Sequence, residues 1–333
     1  MGEVFAGRYE LIDQIGLGGM GSVWRVRDLR ADAVVAAKVL RQSDAVAVLR
    51  FVREQAVRIH HPHIIVPLGW AGEDDRVLFT MPVVEGGSVA TLIGDFGALP
   101  PLFVAEVLRQ LADALSAVHA ARIVHRDLKP SNILLDPTGT GRPHAYLTDF
   151  GIAVDLDGPR FTTTGAVAGT PGYLAPELLR FDDPAPASDL YALGMVAAAM
   201  LLGARPERVD AGAVPVGCPT ALWSLVADLV ADDPPARPPL GEVVDRLAAP
   251  ELAWVPEAAD GIEVFRQVES LGFGDATVTD TLVETPVAVV AAEARGLEDG
   301  AVASAEARRY PVLLIASALA VVAGIVLLVL SLT

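Results

Sequence analysis

The sequence predicts an α+β fold with a strand-rich N-terminal part, a helix-rich part after it and one C-terminal transmembrane helix. Apolar residues alternate between Arg8 and Ile15, which is the two-residue period of a β-strand. Between Pro101 and Ala121 they recur at spacings of three and four residues, which predicts a helix. Residues 311–333 are 23 residues without a charged side chain, and a bilayer core of about 30 Å needs about 20 helical residues.

A glycine-rich segment follows the first strand. Gly16, Gly18 and Gly21 stand in a G-x-G-x-x-G pattern, and the β-type residues of 23–26 come directly after it. In a dinucleotide-binding fold this pattern opens a helix, so the residues here favour a strand, a loop and a second strand. Glycines would let backbone amides approach phosphate oxygens, which predicts a flap over a nucleotide. A plain glycine hairpin is the alternative.

Three more strands are predicted before the helical part. Val34–Leu40 is an apolar run that contains one lysine, Lys38. A buried charge is costly without a partner, so Lys38 either has one or lies where its amine can reach water. Residues 64–68 and 77–81 predict two further strands, and the apolar face of residues 45–59 predicts a helix before them.

The residues that carry chemistry cluster in two short motifs. Residues 125–132 read HRDLKPSN, and Asp149 begins the tripeptide DFG 17 residues after Asn132. The carboxylate of Asp127 could accept a proton from an alcohol, and Lys129 could face a phosphate. Asn132 and Asp149 carry the oxygen ligands that Mg²⁺ prefers. A base, a cation and two metal ligands are what phosphoryl transfer needs, because its catalysis is mainly positioning and charge neutralisation.

These two motifs resemble the catalytic loop and the metal-binding segment of protein kinases. The family that the sequence resembles is that of the bacterial, eukaryotic-like (Hanks-type) serine/threonine protein kinases. The resemblance covers about Tyr9 to Leu247. It implies a bilobal kinase domain over residues 1–249. The small β-rich lobe would span about 9–84 and the larger helical lobe about 85–249.

The resemblance implies that four side chains are catalytic. Asp127 would be the base, Lys129 would lie beside the transferred phosphate, and Lys38 would pair with Glu54 on the predicted helix before the third strand. Arg58 departs from the family pattern, because it stands one turn after Glu54 at a position that is usually apolar.

The resemblance also implies ATP as the phosphate donor, with Mg²⁺ or Mn²⁺ held by Asn132 and Asp149. The expected ATP contacts lie on the glycine flap, the lysine strand, the link between the lobes and the strand after the catalytic loop. They are Ile15, Gly16, Gly18, Gly21, Val23, Ala36, Lys38, Met81, Val84 and Leu134.

The segment between Asp149 and Glu177 resembles the kinase activation segment. Thr162 and Thr164 are its expected autophosphorylation sites, because Arg126 would supply a cation for a phosphothreonine. A solvated threonine loop without that role is the alternative.

Three more residues are expected to support the site. By resemblance, Thr170 would hydrogen-bond the catalytic aspartate and lysine, Asp189 would brace the backbone of the catalytic loop, and Arg237 would pair with Glu177. Together with the catalytic-loop lysine, Thr170 favours serine or threonine over tyrosine as the acceptor. Residues 203–221 are shorter than the corresponding part of typical relatives, which carries a substrate-docking helix.

The C-terminal quarter has a different composition. Residues 250–309 predict an acidic, flexible juxtamembrane linker with a short helix at about 262–271, and residues 310–333 predict the transmembrane helix. The pair Arg308-Arg309 predicts a single-pass plasma-membrane protein whose kinase domain is cytoplasmic and whose C-terminus is outside, without an extracellular domain. A homodimer face could form from small residues four apart, namely Ala316, Ala320 and Gly324.

The net charge of the chain limits the classes of partner that it could bind. The net charge of −17 argues against a nucleic-acid-binding surface, which needs a basic stripe. The family resemblance implies that the substrates are proteins with serine or threonine acceptors. A metal site at His60, His61 and His63 is conceivable, but the kinase family has a histidine-proline connector at this place.

The expected function is an ATP-dependent, membrane-anchored serine/threonine protein kinase that autophosphorylates its activation loop and acts in signal transduction. One alternative is a pseudokinase scaffold that binds nucleotide, which usually loses the lysine or one of the two aspartates; none is lost here. The other is a small-molecule phosphotransferase of similar fold, against which the peptide-type segment 169–177 argues.

Overall fold

The structure is a computed structural model that describes residues 3–18, 21–41, 59–149, 154–155, 170, 172–259 and 261–268. Several predicted features lie outside the described residues: Glu54 and Arg58 with their helix, the last two residues of the DFG motif, Thr162, Thr164 and the transmembrane helix at 310–333. No helix in the described part of the chain is long and apolar enough to cross a bilayer.

The N-terminal part is a six-stranded antiparallel sheet. Its strands are β1 (Val4–Phe5), β2 (Tyr9–Gly18), β3 (Gly21–Asp28), β4 (Ala33–Arg41), β5 (Gly69–Glu73) and β6 (Arg76–Met81), in the spatial order β1-β2-β3-β4-β6-β5. The strands predicted from the first, second and third apolar runs and from 77–81 are confirmed. β2 and β3 also extend through the glycine-rich segment, up to the paired Gly18 and Gly21, so the flap is the end of a hairpin.

The strand predicted at 64–68 is wrong, since the next strand, β5, begins only at Gly69. Ile64 forms an isolated β-bridge with Leu147, and the amide of Ile65 donates to the Leu147 carbonyl at 2.9 Å. Both isoleucines are buried. Pro67 has no N–H to give to a ladder. Contact with the sheet begins only at Leu68, whose amide donates to the Thr80 carbonyl of β6 at 2.7 Å.

The two faces of the sheet pack against different partners. Phe5, Tyr9, Val26 and Leu78 belong to a small cluster on one face. Phe79 points the other way and joins the main core, which extends into the helical part. Lys38 pairs directly with Phe79 across β4 and β6. Paired residues share a face, so Lys38 lies on the side of the sheet that is turned towards the helical part.

Six helices follow in the described part of the chain. They are α1 (Val89–Phe96), α2 (Pro101–Ala120), α3 (Pro176–Leu179), α4 (Pro186–Leu202), α5 (Thr220–Leu229) and α6 (Leu240–Leu247). The long helix predicted from Pro101 is α2, and proline is tolerated there because its missing N–H has no intrahelical partner in the first turn. The apolar helix predicted near Ser188 is α4, which is buried over nearly all its length and ends at Gly203 with φ 73°.

Two short antiparallel pairs hold the segments around the catalytic loop. β7 (Ile123–Val124) pairs with β10 (Val154–Asp155), and β8 (Ile133–Leu135) pairs with β9 (Ala145–Leu147). A 3₁₀ turn over Pro130–Asn132 leads into β8. Asn132 therefore lies at the start of one strand and Asp149 just beyond the end of its partner, which brings the two motifs together.

The predicted flexible linker from residue 250 is wrong for its first part, because residues 250–268 pack on the helical lobe. Two 3₁₀ turns, Pro250–Leu252 and Pro256–Ala259, begin the segment. Leu252, Ile262 and Val264 are buried in the main core. The short helix expected near 262–271 is absent over its described residues, where Val264 instead bridges to Gly139. The apolar side chains drive this docking despite the acidic composition around them.

Helices α4 and α5 approach closely at Gly194. A Cβ atom placed on Gly194 would lie 2.7 Å from Cβ of Leu229 and 2.7 Å from Cγ1 of Val230. A methyl group therefore does not fit there unless the helices separate. Gly94 in α1 is a useful contrast, because a Cβ atom there would meet nothing within 4 Å.

We expect Gly194→Ala to lower the free energy of unfolding by about 1–3 kcal/mol through overpacking. The matched control Gly94→Ala should raise it by about 0.5–1 kcal/mol, since alanine loses less backbone entropy in a helix. Urea unfolding followed by circular dichroism measures both. Equal stability of the Gly194→Ala and wild-type proteins would contradict the close contact.

Candidate active site

His125 fixes the start of the catalytic loop from inside the core. Its side chain is fully buried, and Nδ1 accepts a hydrogen bond from the Asp127 amide at 3.3 Å. The proton is then on Nε2, which donates to the Thr148 carbonyl at 3.0 Å. Burial lowers the pKa of His125. A neutral imidazole thus links the loop to the strand end that precedes Asp149.

Asp189, from the first turns of α4, braces the same loop. Its Oδ2 accepts from the His125 amide and its Oδ1 from the Arg126 amide, both at 2.9 Å. Nε2 of His119 lies 2.8 Å from Oδ2. Arg126 has φ 70°, a left-handed conformation that is strained for a residue with a side chain. Two charge-assisted hydrogen bonds hold it there, so the expected bracing contact is present.

Asp127 is the centre of a compact polar cluster. Its Oδ2 accepts from Lys129 Nζ at 2.7 Å and from Asn132 Nδ2 at 3.0 Å. Its Oδ1 accepts from the Thr170 hydroxyl at 2.9 Å, and Lys129 Nζ donates to that hydroxyl at 2.7 Å. Thr170 therefore makes both contacts that its resemblance implied. The four side chains position a carboxylate next to a cation, as proton acceptance from an alcohol beside a phosphate requires.

Lys38 and Asp149 join the sheet to the helical part. The amine of Lys38, on β4, lies 2.6 Å from Oδ1 of Asp149, and both side chains are largely shielded from water. Asp149 has φ 68°, so its backbone is also held in the left-handed region. The sequence predicted Glu54 as the partner of Lys38, and Glu54 lies outside the described residues. The direct pair with Asp149 was not foreseen.

Asn132 and Asp149 provide the donor set for a hard cation. The amide nitrogen of Asn132 also donates to the Asp127 carbonyl at 2.8 Å, which leaves its amide oxygen as the atom that could meet a metal. A carboxylate has two oxygens, so Asp149 could serve both Lys38 and a cation. Amide and carboxylate oxygens completed by water and phosphate suit Mg²⁺, so the residues present fit that ion.

The expected ATP contacts lie on five strands and on the link after β6, and the register of the sheet brings five of these residues to one face. Val23 pairs with Lys38 and Ala36 pairs with Met81, so these four side chains share the face of the sheet that carries Lys38. Gly16 pairs with Val23 on the same face. The remaining contacts lie on β2, β3, the link after β6 and β8: Ile15, Gly18, Gly21, Val84 and Leu134.

Glycine is required at Gly21 by the neighbouring strand. A Cβ atom there would collide with the Val39 carbonyl oxygen of β4 and lie 2.8 Å from Cδ2 of Leu40. The flap hairpin therefore lies tightly against the strand that carries Lys38.

A buried ion pair ties α3 to the end of the helical part. Arg237 donates from Nη1 and Nη2 to the two carboxylate oxygens of Glu177, at 2.7 and 2.8 Å. Burial raises the pKa of Glu177, but the hydrogen bonds from Arg237 outweigh it and leave the pKa lowered. Arg237 also stacks over the Tyr191 ring at 5.1 Å. The expected pair is thus present, and it anchors the segment that follows Thr170.

Arg126 is a half-buried cation beside the catalytic aspartate. Its Nε is buried without a hydrogen-bond partner among the described residues. Burial lowers the pKa of Arg126, which reflects the cost of keeping its charge in this position. Such a group is stabilised by an incoming anion.

The histidine cluster has ordinary local partners. Nε2 of His61 lies 3.2 Å from Oδ2 of Asp113, and Nδ1 of His63 lies 2.9 Å from the Ala145 carbonyl. Burial lowers the pKa of His63. Over the described residues no group of three or more His, Cys, Asp or Glu side chains could hold a metal ion.

Two contributors to the site were missed from the sequence. His119 lies in the last turn of α2 and contacts Asp189. A histidine shortly before the catalytic loop was the available signal. Residues 266–268 contact the link between the two parts of the fold, and they stand in a stretch whose composition suggested only a linker.

Comparison with known proteins finds a matching family and similar bacterial proteins. The family described as "Protein kinase domain" matches residues 9–214. Serine/threonine-protein kinase PkaB of Streptomyces coelicolor is 35% identical over 268 residues, which are 74% of this chain and 64% of that protein. PknD of Mycobacterium tuberculosis is 40% identical over 210 residues, covering 61% of this chain and 31% of that protein. The chain therefore spans less than two thirds of the length of these relatives.

We expect Asp189→Asn to loosen the catalytic loop. An amide has one acceptor oxygen, so one of the two backbone N–H groups would face the NH₂ group and lose its hydrogen bond. The free energy of unfolding should fall by about 1–3 kcal/mol, and the amides of His125 and Arg126 should exchange hydrogen faster. The exposed Asp210 accepts one amide from Gly212, so Asp210→Asn is the matched control and should change stability by less than about 0.5 kcal/mol. Unchanged exchange in Asp189→Asn would contradict the bracing role.

Proposed function

The chain belongs to the protein kinase family, and we propose that it is an ATP-dependent serine/threonine protein kinase of EC 2.7.11.1 type. One observation carries the proposal: Lys38 pairs with Asp149 across 111 residues of sequence, next to the catalytic loop. The amide of Thr148, the residue before Asp149, donates to the carbonyl of Asn132, whose side chain contacts Asp127. The names of the similar bacterial proteins support it. Protein substrates are proposed on the same grounds.

The chain's own residues account for the transfer step. Lys38, held by an acidic partner, orients the α- and β-phosphates of ATP beneath the flap. A divalent cation, Mg²⁺ or Mn²⁺, bound by Asn132 and Asp149 would offset the negative charge of the phosphates. Asp127 orients the acceptor hydroxyl and accepts its proton as the oxygen bonds to the γ-phosphorus. The bond from that phosphorus to the β,γ-bridging oxygen breaks and ADP leaves.

The acceptor class follows from the cluster around Asp127. Lys129 and Thr170 occupy the space beside the base, where Lys129 can also steady the γ-phosphate. Their presence favours a serine or threonine hydroxyl over the longer tyrosine side chain. The pseudokinase scaffold remains the alternative, and it requires that the assembled groups bind nucleotide without transferring phosphate.

Autophosphorylation of Thr162 and Thr164 is proposed as the activating modification. A phosphothreonine would give an acceptor to Nε of Arg126, which is buried without a hydrogen-bond partner among the described residues. Arg126 adjoins Asp127, so ordering of the activation segment would act directly on the base.

Membrane anchoring is proposed for residues 310–333, with signal transduction as the setting. Their length and lack of charge suit a single span of the plasma membrane, and Arg308-Arg309 favours a cytoplasmic kinase domain. The small residues Ala316, Ala320 and Gly324 would allow two such helices to pack as a homodimer.

The variant Asp127→Asn tests the catalytic assignment. Loss of the base should lower phosphate transfer to a serine/threonine peptide by about 10²- to 10⁴-fold, measured as Mg²⁺-dependent ADP formation. Asp245→Asn, at an exposed position on α6, is the control and should keep wild-type activity. A thermal shift on addition of ADP shows whether each variant is folded. If the folded Asp127→Asn variant transfers phosphate at the wild-type rate, the catalytic assignment is wrong. If the wild-type protein binds ADP but transfers no phosphate, the result supports the pseudokinase scaffold.

A further inference from the structure

The chain beyond the last helix returns to the link between the two lobes. We call residues 262–268 the hinge strap and residues 82–88, which follow β6, the interlobe link. The amides of Gln267 and Val268 both donate to the carbonyl of Glu85, at 2.7 and 3.2 Å. The side chain of Arg266 lies 3.0 Å from the Glu85 carboxylate. Backbone and side chain of Glu85 are thus both held by the strap.

The hinge strap is anchored on the helical lobe at its other end. Val264 is 1% exposed and exchanges two backbone hydrogen bonds with Gly139, at 2.9 and 3.0 Å. Ile262 is buried in the main core. The ring of Phe265 lies 6.1 Å from that of Phe96, the last residue of α1. These contacts fix the strap before it reaches Glu85.

The interlobe link lies between the strap and β8. On the β8 side, the Gly86 amide donates to the Leu135 carbonyl at 3.0 Å, and the Leu135 amide donates to the Gly87 carbonyl at 2.9 Å. On the strap side, a Cβ atom on Gly87, whose φ is 79°, would lie 2.9 Å from Cδ of Gln267. Strap, link and β8 are therefore three adjacent segments in close backbone contact.

Two residues next to these backbone contacts are expected to touch adenine. Val84 directly precedes Glu85, and Leu134 lies in the middle of β8. A link that is held on two sides is already ordered before the nucleotide arrives, so binding costs less conformational entropy. A link held by β8 alone would have to be ordered at the moment of binding.

We propose that the hinge strap, through the Gln267 amide and the Arg266 side chain, positions the interlobe link for nucleotide binding. The inference rests on the proposed function, since it assigns Gln267 and Arg266 as positioning residues of the same ATP site. Residues 269–333 follow the strap in the chain. A force or contact that reached the strap through these residues and displaced it would weaken nucleotide binding.

Gln267→Pro in the full chain tests the backbone contact, because proline has no N–H to donate to Glu85. The dissociation constant for a fluorescent ADP analogue with Mg²⁺ should rise about three- to tenfold. The KM for ATP should rise in parallel while kcat changes less than about twofold. Amide hydrogen exchange in residues 83–88 should speed up. Glu263→Ala, at an exposed strap position, is the matched control and should leave all four quantities at wild-type values.

A charge-reversal series tests the side-chain contact. It also provides a second test if the Gln267→Pro protein does not fold. Arg266→Glu and Glu85→Arg should each weaken binding of the ADP analogue about two- to fivefold, and the double reversal should restore it. Wild-type affinity and exchange in folded Gln267→Pro, or single reversals without effect, would overturn the strap proposal. Failure of the wild-type protein to bind the ADP analogue would instead sink the proposed function.

Discussion

The buried carboxylate of Asp189 is the constraint on which the site depends. It accepts two consecutive backbone amides of the catalytic loop and is 1% exposed. These bonds hold Arg126 in the left-handed conformation that turns the chain between the buried His125 and Asp127. Without that turn, Asp127 would not face Lys129 and Thr170. The helix that supplies Asp189 is itself buried, so the core of the helical part sets the position of the base.

The second constraint is the pair between Lys38 and Asp149. It joins a strand of the sheet to the segment after β9, across 111 residues of sequence. The register of β3, β4 and β6 places Lys38 on the same face as Val23, Ala36 and Met81, three of the other expected ATP contacts. The two parts of the fold thus meet through charged side chains at the nucleotide site, while Ile64, Ile65 and the hinge strap join them elsewhere.

Motif residues were predictable because their geometry is largely local. Residues 125–132 form one loop, and Thr170 and Arg237 stand in motifs whose partners the family resemblance supplied. The strand at 64–68 was wrong because its apolar residues are buried against the helical lobe, and apolar content alone does not reveal which surface buries it. The hinge strap was not predicted because most of its contacts with the interlobe link come from backbone amides, which carry no sequence signal, and because nothing in the sequence pairs Arg266 with the distant Glu85. The alternation of Ile262 and Val264 was the only hint of an extended, half-buried segment.

The central claim is that Asn132 and Asp149 hold a divalent cation beside the nucleotide that Lys38 orients. Crystals of the protein with Mn²⁺ and a non-hydrolysable ATP analogue test it most directly, through the anomalous scattering of manganese. We expect an anomalous peak within coordination distance of the Asp149 carboxylate, the Asn132 amide oxygen and the analogue's phosphates. A bound analogue with no manganese peak at these two side chains would contradict it.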